Sequence, residues 1–315
     1  MQDAIRTAAE AEIARLLPFA GGDTGVAALH LQSGARLGVG EHGRYPPGSS
    51  IKMAIVLAIF DLLDKGALTL EQMVEVQDAE MTYSGPIGGE FAFPGVALSV
   101  LNLLEVMLTR SDNTATDVLL RLTGGTRGVQ AYLRREGIDD FDITLTMREA
   151  LCVMHEVPLP PSDVSIRDWM RQQPPEVMDA RERPHATGFD YQLGVRDHCT
   201  PLAMVELLRR LYLADRVTPR ARQIVLPIMM RAMTSPRIVA RLPAGVRAGT
   251  KTGSGSGTCS DAGYIVLPGA KGTLALSIQV KASPESMATR EAVVADVARL
   301  IYDTYVLTTP DEFPS

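Results

Sequence analysis

The stretch Pro46-Pro47-Gly48-Ser49-Ser50-Ile51-Lys52-Met53-Ala54-Ile55-Val56-Leu57-Ala58-Ile59-Phe60-Asp61-Leu62-Leu63-Asp64-Lys65-Gly66 changes character within three residues. Pro46-Pro47-Gly48 is a chain breaker. From Ser50 onward Ile51, Ala54, Ile55, Leu57, Ala58 and Leu62 recur at helical spacing, and Gly66 offers a stop. A helix is therefore expected to begin at the two serines. Ser49 and Lys52 are three apart, so on that helix they share a face and the amine can reach the hydroxyl. A serine at a helix start also lies near the free backbone N–H groups and the positive end of the dipole. A neutral amine there is a suitable base for a hydroxyl too weakly acidic to attack unaided. Read alone, the pattern is equally an N-cap serine followed by a solvent lysine.

Before this stretch, residues 1–17 read as an amphipathic helix carrying Ile5, Ala8, Ile13, Leu16 and Leu17. Gly25–Leu31 and Ala35–Val39 are β-favouring runs joined by Gln32-Ser33-Gly34, a hairpin signal. After it, Leu98–Leu108 is helical with Ser99 as cap, and Ser111-Asp112-Asn113 interrupts. Thr114–Leu122 and Gly125–Arg135 continue as helices, as does Met147–Met154. Residues 156–196 are rich in Pro, Arg, Asp and Gly and read as a long irregular loop, which in a compact domain usually serves function. Thr200–Leu213 and Pro219–Met233 return to helix. Gly245–Gly257 is glycine-rich, Ala262–Leu267 and Gly272–Lys281 are strand-like, and Glu285–Val306 is a closing helix. Strands at both ends around a helical middle predict an α+β plan, a sheet made from both chain ends with an all-helical insert.

The 315 residues suffice for one large domain. A net charge of -6 with scattered basic residues argues against sequence-independent nucleic-acid binding, and Arg209-Arg210 reads as a solvated helix face. No run approaches the roughly 18 apolar residues of a membrane span. The start lacks a secretory signal, so the expectation is a cytoplasmic protein, or a periplasmic or secreted one whose signal has been removed. Cys152, Cys199 and Cys259 have no paired spacing and read as buried or incidental thiols. His30, His42, His155, His185 and His198 are dispersed, and no metal or other cofactor is expected.

Two further motifs carry chemistry. Ser111-Asp112-Asn113 alone is a helix-capping loop. Lys251-Thr252-Gly253-Ser254-Gly255 alone is a glycine-rich turn, though glycines there also let a ligand or a second backbone approach an edge. The order S-x-x-K, S-D-N, K-T-G, with 62 positions from Ser49 to Ser111 and 140 from Ser111 to Lys251, is far more specific. In these motifs the chain resembles the class A β-lactamases and penicillin-binding proteins. Ser111–Ala115 resembles their S-D-N-T-A and Lys251–Gly255 their K-T-G-S-G. Arg196-Asp197 with Thr200-Pro201 resembles the R-D-T-T-T-P that follows their large loop. The similarity runs from about Gly25 to Ala295.

The resemblance implies a three-layer sandwich, one β-lactamase-like domain whose α/β part is 1–45 with 202–315 and whose helical part is 46–201. It implies a serine hydrolase opening a β-lactam or related amide, with an esterase, a peptidase or a penicillin-binding sensor as alternatives. Ser49 would be the nucleophile and Lys52 would take or relay its proton. Ser111 would pass a proton to the leaving nitrogen, and Asn113 would hydrogen-bond the substrate amide. Lys251, with Thr252 and Gly253 beside it, would steady Ser111 and the substrate carboxylate. The N–H groups of Ser49 and Ser254 would form the oxyanion hole, each such donor contributing about 3–4 kcal/mol. Lys281 would add positive charge, or simply end its strand. The family's deacylating glutamate lies in E-x-x-L-N, which this chain lacks. Counting from Ser111 points to Glu149 and counting back from Arg196 to Glu182; Glu156, Asp190 or no glutamate are the other readings, and Lys52 could serve both steps. The expected partner is a small molecule, not nucleic acid or membrane, and the expected state is a monomer.

Overall fold

The computed structural model describes residues 2–91, 93, 95–178, 197–232 and 236–313. Both ends of the chain feed one antiparallel sheet. Its strands are β1 (Asp23–His30), β2 (Arg36–Val39), β7 (Ala248–Gly255), β8 (Thr258–Val266) and β9 (Thr273–Lys281), in the order β2-β1-β9-β8-β7. The Gln32-Ser33-Gly34 connection closes the predicted hairpin in the register Ala28↔Leu37. Two short ladders complete the strands, β3 (Met73–Glu75) with β4 (Ala97–Ser99) and β5 (Phe141–Asp142) with β6 (His198–Cys199).

Side chains alternate along a strand, and this sheet buries both faces. Val26 and Ala28 of β1 pack with Leu276 and Ile278 of β9 under the terminal helices α1 (Gln2–Leu16) and α12 (Met287–Thr308). Ala27 and Leu29 face the other way, toward α10 (Pro201–Leu213), α11 (Pro219–Met230) and the helical region. These are the three layers that the resemblance implied.

The helical region is built around α2 (Lys52–Asp64). The sequence marked one apolar stripe, but every side chain from Ile51 to Phe60 is buried. The off-stripe positions Val56, Ile59 and Phe60 are apolar too, and a helix apolar all round sits in a core rather than on a surface. Around it lie α3 (Pro86–Glu90), α4 (Val100–Thr109), α5 (Asn113–Leu122), α6 (Thr126–Arg135) and α7 (Met147–His155). Ser99 caps α4 by accepting from Asn102 N at 3.1 Å, as read from the sequence.

Three readings need correction. The loop expected over 156–196 contains α8 (Ile166–Arg171) and α9 (Pro175–Met178) in its described part. Ser165 caps α8, accepting from Asp168 N at 3.1 Å, and Arg148 anchors the segment through the carbonyls of Pro160, Pro161 and Val164. The glycine-rich Lys251-Thr252-Gly253 is not a turn but the middle of β7, held by the pair Thr252↔Asp261. Arg210 is buried rather than solvated, because the side of α10 that carries it meets Glu206 at 3.0 Å and Glu136 at 3.6 Å. The three cysteines are free and buried.

Candidate active site

Ser49 lies in a 3-10 turn, Gly48–Ile51, that leads directly into α2. Neither the turn nor the helix takes a side-chain cap, so the N-cap reading of the serine does not apply. The turn is pinned from below. Pro47 O accepts from Ser50 Oγ at 2.6 Å and from Ser260 Oγ of β8 at 2.8 Å. It is pressed against β7 by two glycines. A Cβ on Gly253 would stand 2.2 Å from Pro47 O and 2.9 Å from Ser49 N. Gly48, with φ +51°, would place one 3.0 Å from Ser254 N. The backbone of the Ser49 turn is thus held in close contact with that of Gly253 and Ser254.

Lys52 is fully buried, which disposes of the solvent-lysine reading. Its amine donates to Ser111 O at 2.7 Å, Ser111 Oγ at 3.1 Å and Asn113 Oδ1 at 2.8 Å. Lys251, buried in β7, reaches the same Ser111 Oγ at 3.0 Å and Thr252 O at 2.9 Å. One hydroxyl therefore sits between two buried amines. A hydroxyl both donates and accepts, so it can pass a proton between them. Burial, with the Arg237 guanidinium nearby, pushes Lys251 down to about 7, against the opposing pull of Asp261. Its neutral form is then accessible near neutral pH.

Ser111 is placed by strain. Its φ of +54° is left-handed, a costly conformation for a residue with a Cβ. Asp112 holds the turn by accepting from Ala115 N at 2.7 Å, which caps α5, and from Ile87 N at 2.7 Å. The motif is therefore a helix cap and a site element at once. Asn113 gives one N–H to Ser84 Oγ at 2.8 Å.

Ser49, Asn113 and Ser254 line a cleft of about 530 Å³, open space included. Met147, Ala150, Leu151 and Met154 of α7, with Asp197, line it too. Asp197 Oδ1 accepts from Thr144 N at 2.5 Å, Thr144 Oγ1 at 2.7 Å and Leu145 N at 3.1 Å. Burial pushes its carboxyl up to about 6, with the charge of Glu149 acting in the same sense.

The structure thus brings Ser49, Lys52, Ser111, Asn113, Lys251, Thr252, Gly253 and Ser254 together. Glu149 is placed differently. Its carboxylate accepts from Thr146 N at 2.8 Å and Thr146 Oγ1 at 2.9 Å, closing a capping box at the start of α7. Glu156 is the left-handed C-cap of the same helix. Glu182, Asp190, His185 and Arg196 lie outside the described residues. Lys281 sits over the Tyr45 ring and 3.9 Å from Asp23, an end-of-strand pairing. Among the described residues no cluster of His, Cys, Asp and Glu has the grouping of a metal site.

Sequence reasoning missed Arg237, Ser260, Asp197 and Asp117. Arg237 is buried behind β7 and donates to Gly253 O at 2.8 Å, Ser260 O at 2.8 Å and Ser254 Oγ at 2.6 Å. Asp117 accepts from Met147 N at 2.7 Å and Arg148 N at 3.0 Å, tying α7 to α5. Asp117 carried a signal in its position, four residues after Asn113 and so on the same helix face.

The three-layer fold and a serine flanked by buried lysines define a serine hydrolase of the acyl-transfer class. The model of the Beta-lactamase enzyme family matches residues 8–305, and the chain belongs to that family. It is similar to the β-lactamase VEB-1 of Pseudomonas aeruginosa, with 26% identity over 294 residues, 90% of this chain and 85% of the relative. A β-lactamase of Streptomyces albus G is 26% identical over 302 residues, 94% of this chain and 84% of the relative. The crystal structure of a β-lactamase from Chitinophaga pinensis shares the fold, with a TM-score of 0.76 at 24% identity, covering 94% of this chain and 98% of that one.

Proposed function

We propose that the protein opens the four-membered amide ring of β-lactams through an acyl-enzyme on Ser49. The observation that carries this reading is the convergence of Lys52 and Lys251 on Ser111 Oγ, at 3.1 and 3.0 Å, beside the Ser49 turn. Ser49 Oγ attacks the ring carbonyl and its proton passes to the Lys52 amine. The developing oxyanion lies between the N–H groups of Ser49 and Ser254. As the C–N bond breaks, Ser111 gives its proton to the departing nitrogen and is resupplied from a neighbouring lysine. Asn113 receives the substrate's side-chain amide. Lys251 and Thr252 receive its carboxylate, a small anionic group suited to a cation. Water then releases the ring-opened acid.

The test is intact-protein mass after mixing with benzylpenicillin, beside Ser49→Ala. Rapid product formation that the variant loses supports hydrolysis. A lasting adduct on Ser49 would instead mark a penicillin-binding protein. Neither adduct nor product would refute the reading and direct the search to ester substrates.

A further inference from the structure

We propose that Asp197 is the base that takes the proton of the water releasing acyl-Ser49. This rests on the acyl-enzyme reading above and identifies the group its second half requires. Met147, Ala150, Leu151 and Met154 line the cleft, at the spacing i, i+3, i+4, i+7 of one helix face. At about 100° per residue, position 149 lies roughly 150° away from the centre of that face. Glu149 therefore looks away from Ser49, and its carboxylate is bound to Thr146 at the helix start. The face α7 turns toward Ser49 is apolar and offers no base.

Asp197 lines the same cleft. It is almost fully buried, and one of its oxygens is held by three donors from Thr144 and Leu145. Those donors hold the carboxyl through Oδ1, and in the proposed role Oδ2 would meet the water. The two acids bind successive amides, Asp197 those of Thr144 and Leu145, Glu149 that of Thr146. Burial and the nearby Glu149 charge keep Asp197 basic enough to accept a proton near neutrality. In the step, the water oxygen bonds to the acyl carbon and one of its protons goes to Asp197. Collapse breaks the bond to Ser49 Oγ, which receives that proton back, and the other proton leaves on the product acid.

The test compares Asp197→Asn with Glu149→Gln by time-resolved intact mass and steady-state turnover of benzylpenicillin. Wild-type turnover is read first, and its absence overturns both this assignment and the reading it rests on. Asp197→Asn retains an oxygen for the Thr144 and Leu145 donors. It is expected to acylate at the wild-type rate and to release the adduct about 10²–10⁴-fold more slowly. Hydroxylamine, a nucleophile that needs no base, should free that adduct. Glu149→Gln should turn over. An adduct that accumulates in Glu149→Gln, or normal release in Asp197→Asn, overturns the assignment, as does joint loss of acylation and release. If Asp197→Asn does not fold, the wild-type release rate against pH decides. It must fall on acidification through about 6, and a flat profile from about pH 4.5 to 8 overturns the proposal.

Discussion

Replacing Gly253 with alanine tests whether close packing of two backbones sets the position of the nucleophile. The added Cβ would stand 2.2 Å from Pro47 O, 2.4 Å from Ser260 Oγ and 2.9 Å from Ser49 N. Gly253 lies in the extended strand β7, so the substitution brings no backbone strain of its own, only the collision. To reach ordinary contact the Ser49 turn must retreat from the strand by about 1 Å, a misplacement that can cost ~10²-fold in rate. The retreat pulls Pro47 O from the Ser260 hydroxyl of β8, now at 2.8 Å. Overpacking of this kind costs about 1–3 kcal/mol in stability. The expected result is a kcat/KM for a chromogenic cephalosporin down by about 10²-fold, with a folded protein of lower Tm. Gly89→Ala is the matched control, because a Cβ there meets nothing within 4 Å. A Gly253→Ala enzyme within about 3-fold of wild type, with an unchanged Tm, would refute the reasoning.

The buried ionisable groups give two further expectations. Lys251, at about 7, is cationic below that pH and neutral above it. If it receives the substrate carboxylate, kcat/KM falls on the alkaline side, and Lys251→Arg, whose guanidinium keeps its charge, removes that limb. A wild-type profile flat through about pH 9 would reject the role. Burial raises Asp117 to about 7, above the value near 4 of an unfolded chain. The native state then holds a proton that the unfolded state has lost, so this stabilisation is complete below about pH 4 and gone above about pH 7. The stability difference between wild type and Asp117→Asn, read by urea unfolding, should shrink by a few kcal/mol over that window. A difference independent of pH would contradict it.

What could be read from the sequence was what depends on neighbours along the chain. The Ser99 and Asp112 caps and the Gln32-Ser33-Gly34 hairpin are local, and each appears as read. Residues that act across the fold were silent. Nothing near Arg237 in the chain indicates that it will hold the carbonyls of Gly253 and Ser260. The hydroxyl of Ser260 gives no sign that it will pin Pro47, more than two hundred positions away. Glu149 shows the difference most clearly. Counting from Ser111 led to Glu149 on α7, but a count carries no rotational phase. The phase is set by Thr146, which caps α7, and by Asp117, which holds its first amides.

The chemistry and the cost of the site have one source. Two amines in contact with one hydroxyl cannot both stay charged cheaply when neither reaches water. Desolvation eases the conflict at Lys251, whose affinity for a proton burial lowers. A neutral amine beside an ammonium is a base beside an acid, joined here by Ser111 Oγ. That hydroxyl reaches both amines only because Ser111 adopts a left-handed backbone, which the Asp112 bonds to Ala115 and Ile87 hold in place. Relaxing the turn at Ser111 would lower the strain and separate the base from the acid, so the strain is maintained by the same caps that make the motif legible in the sequence.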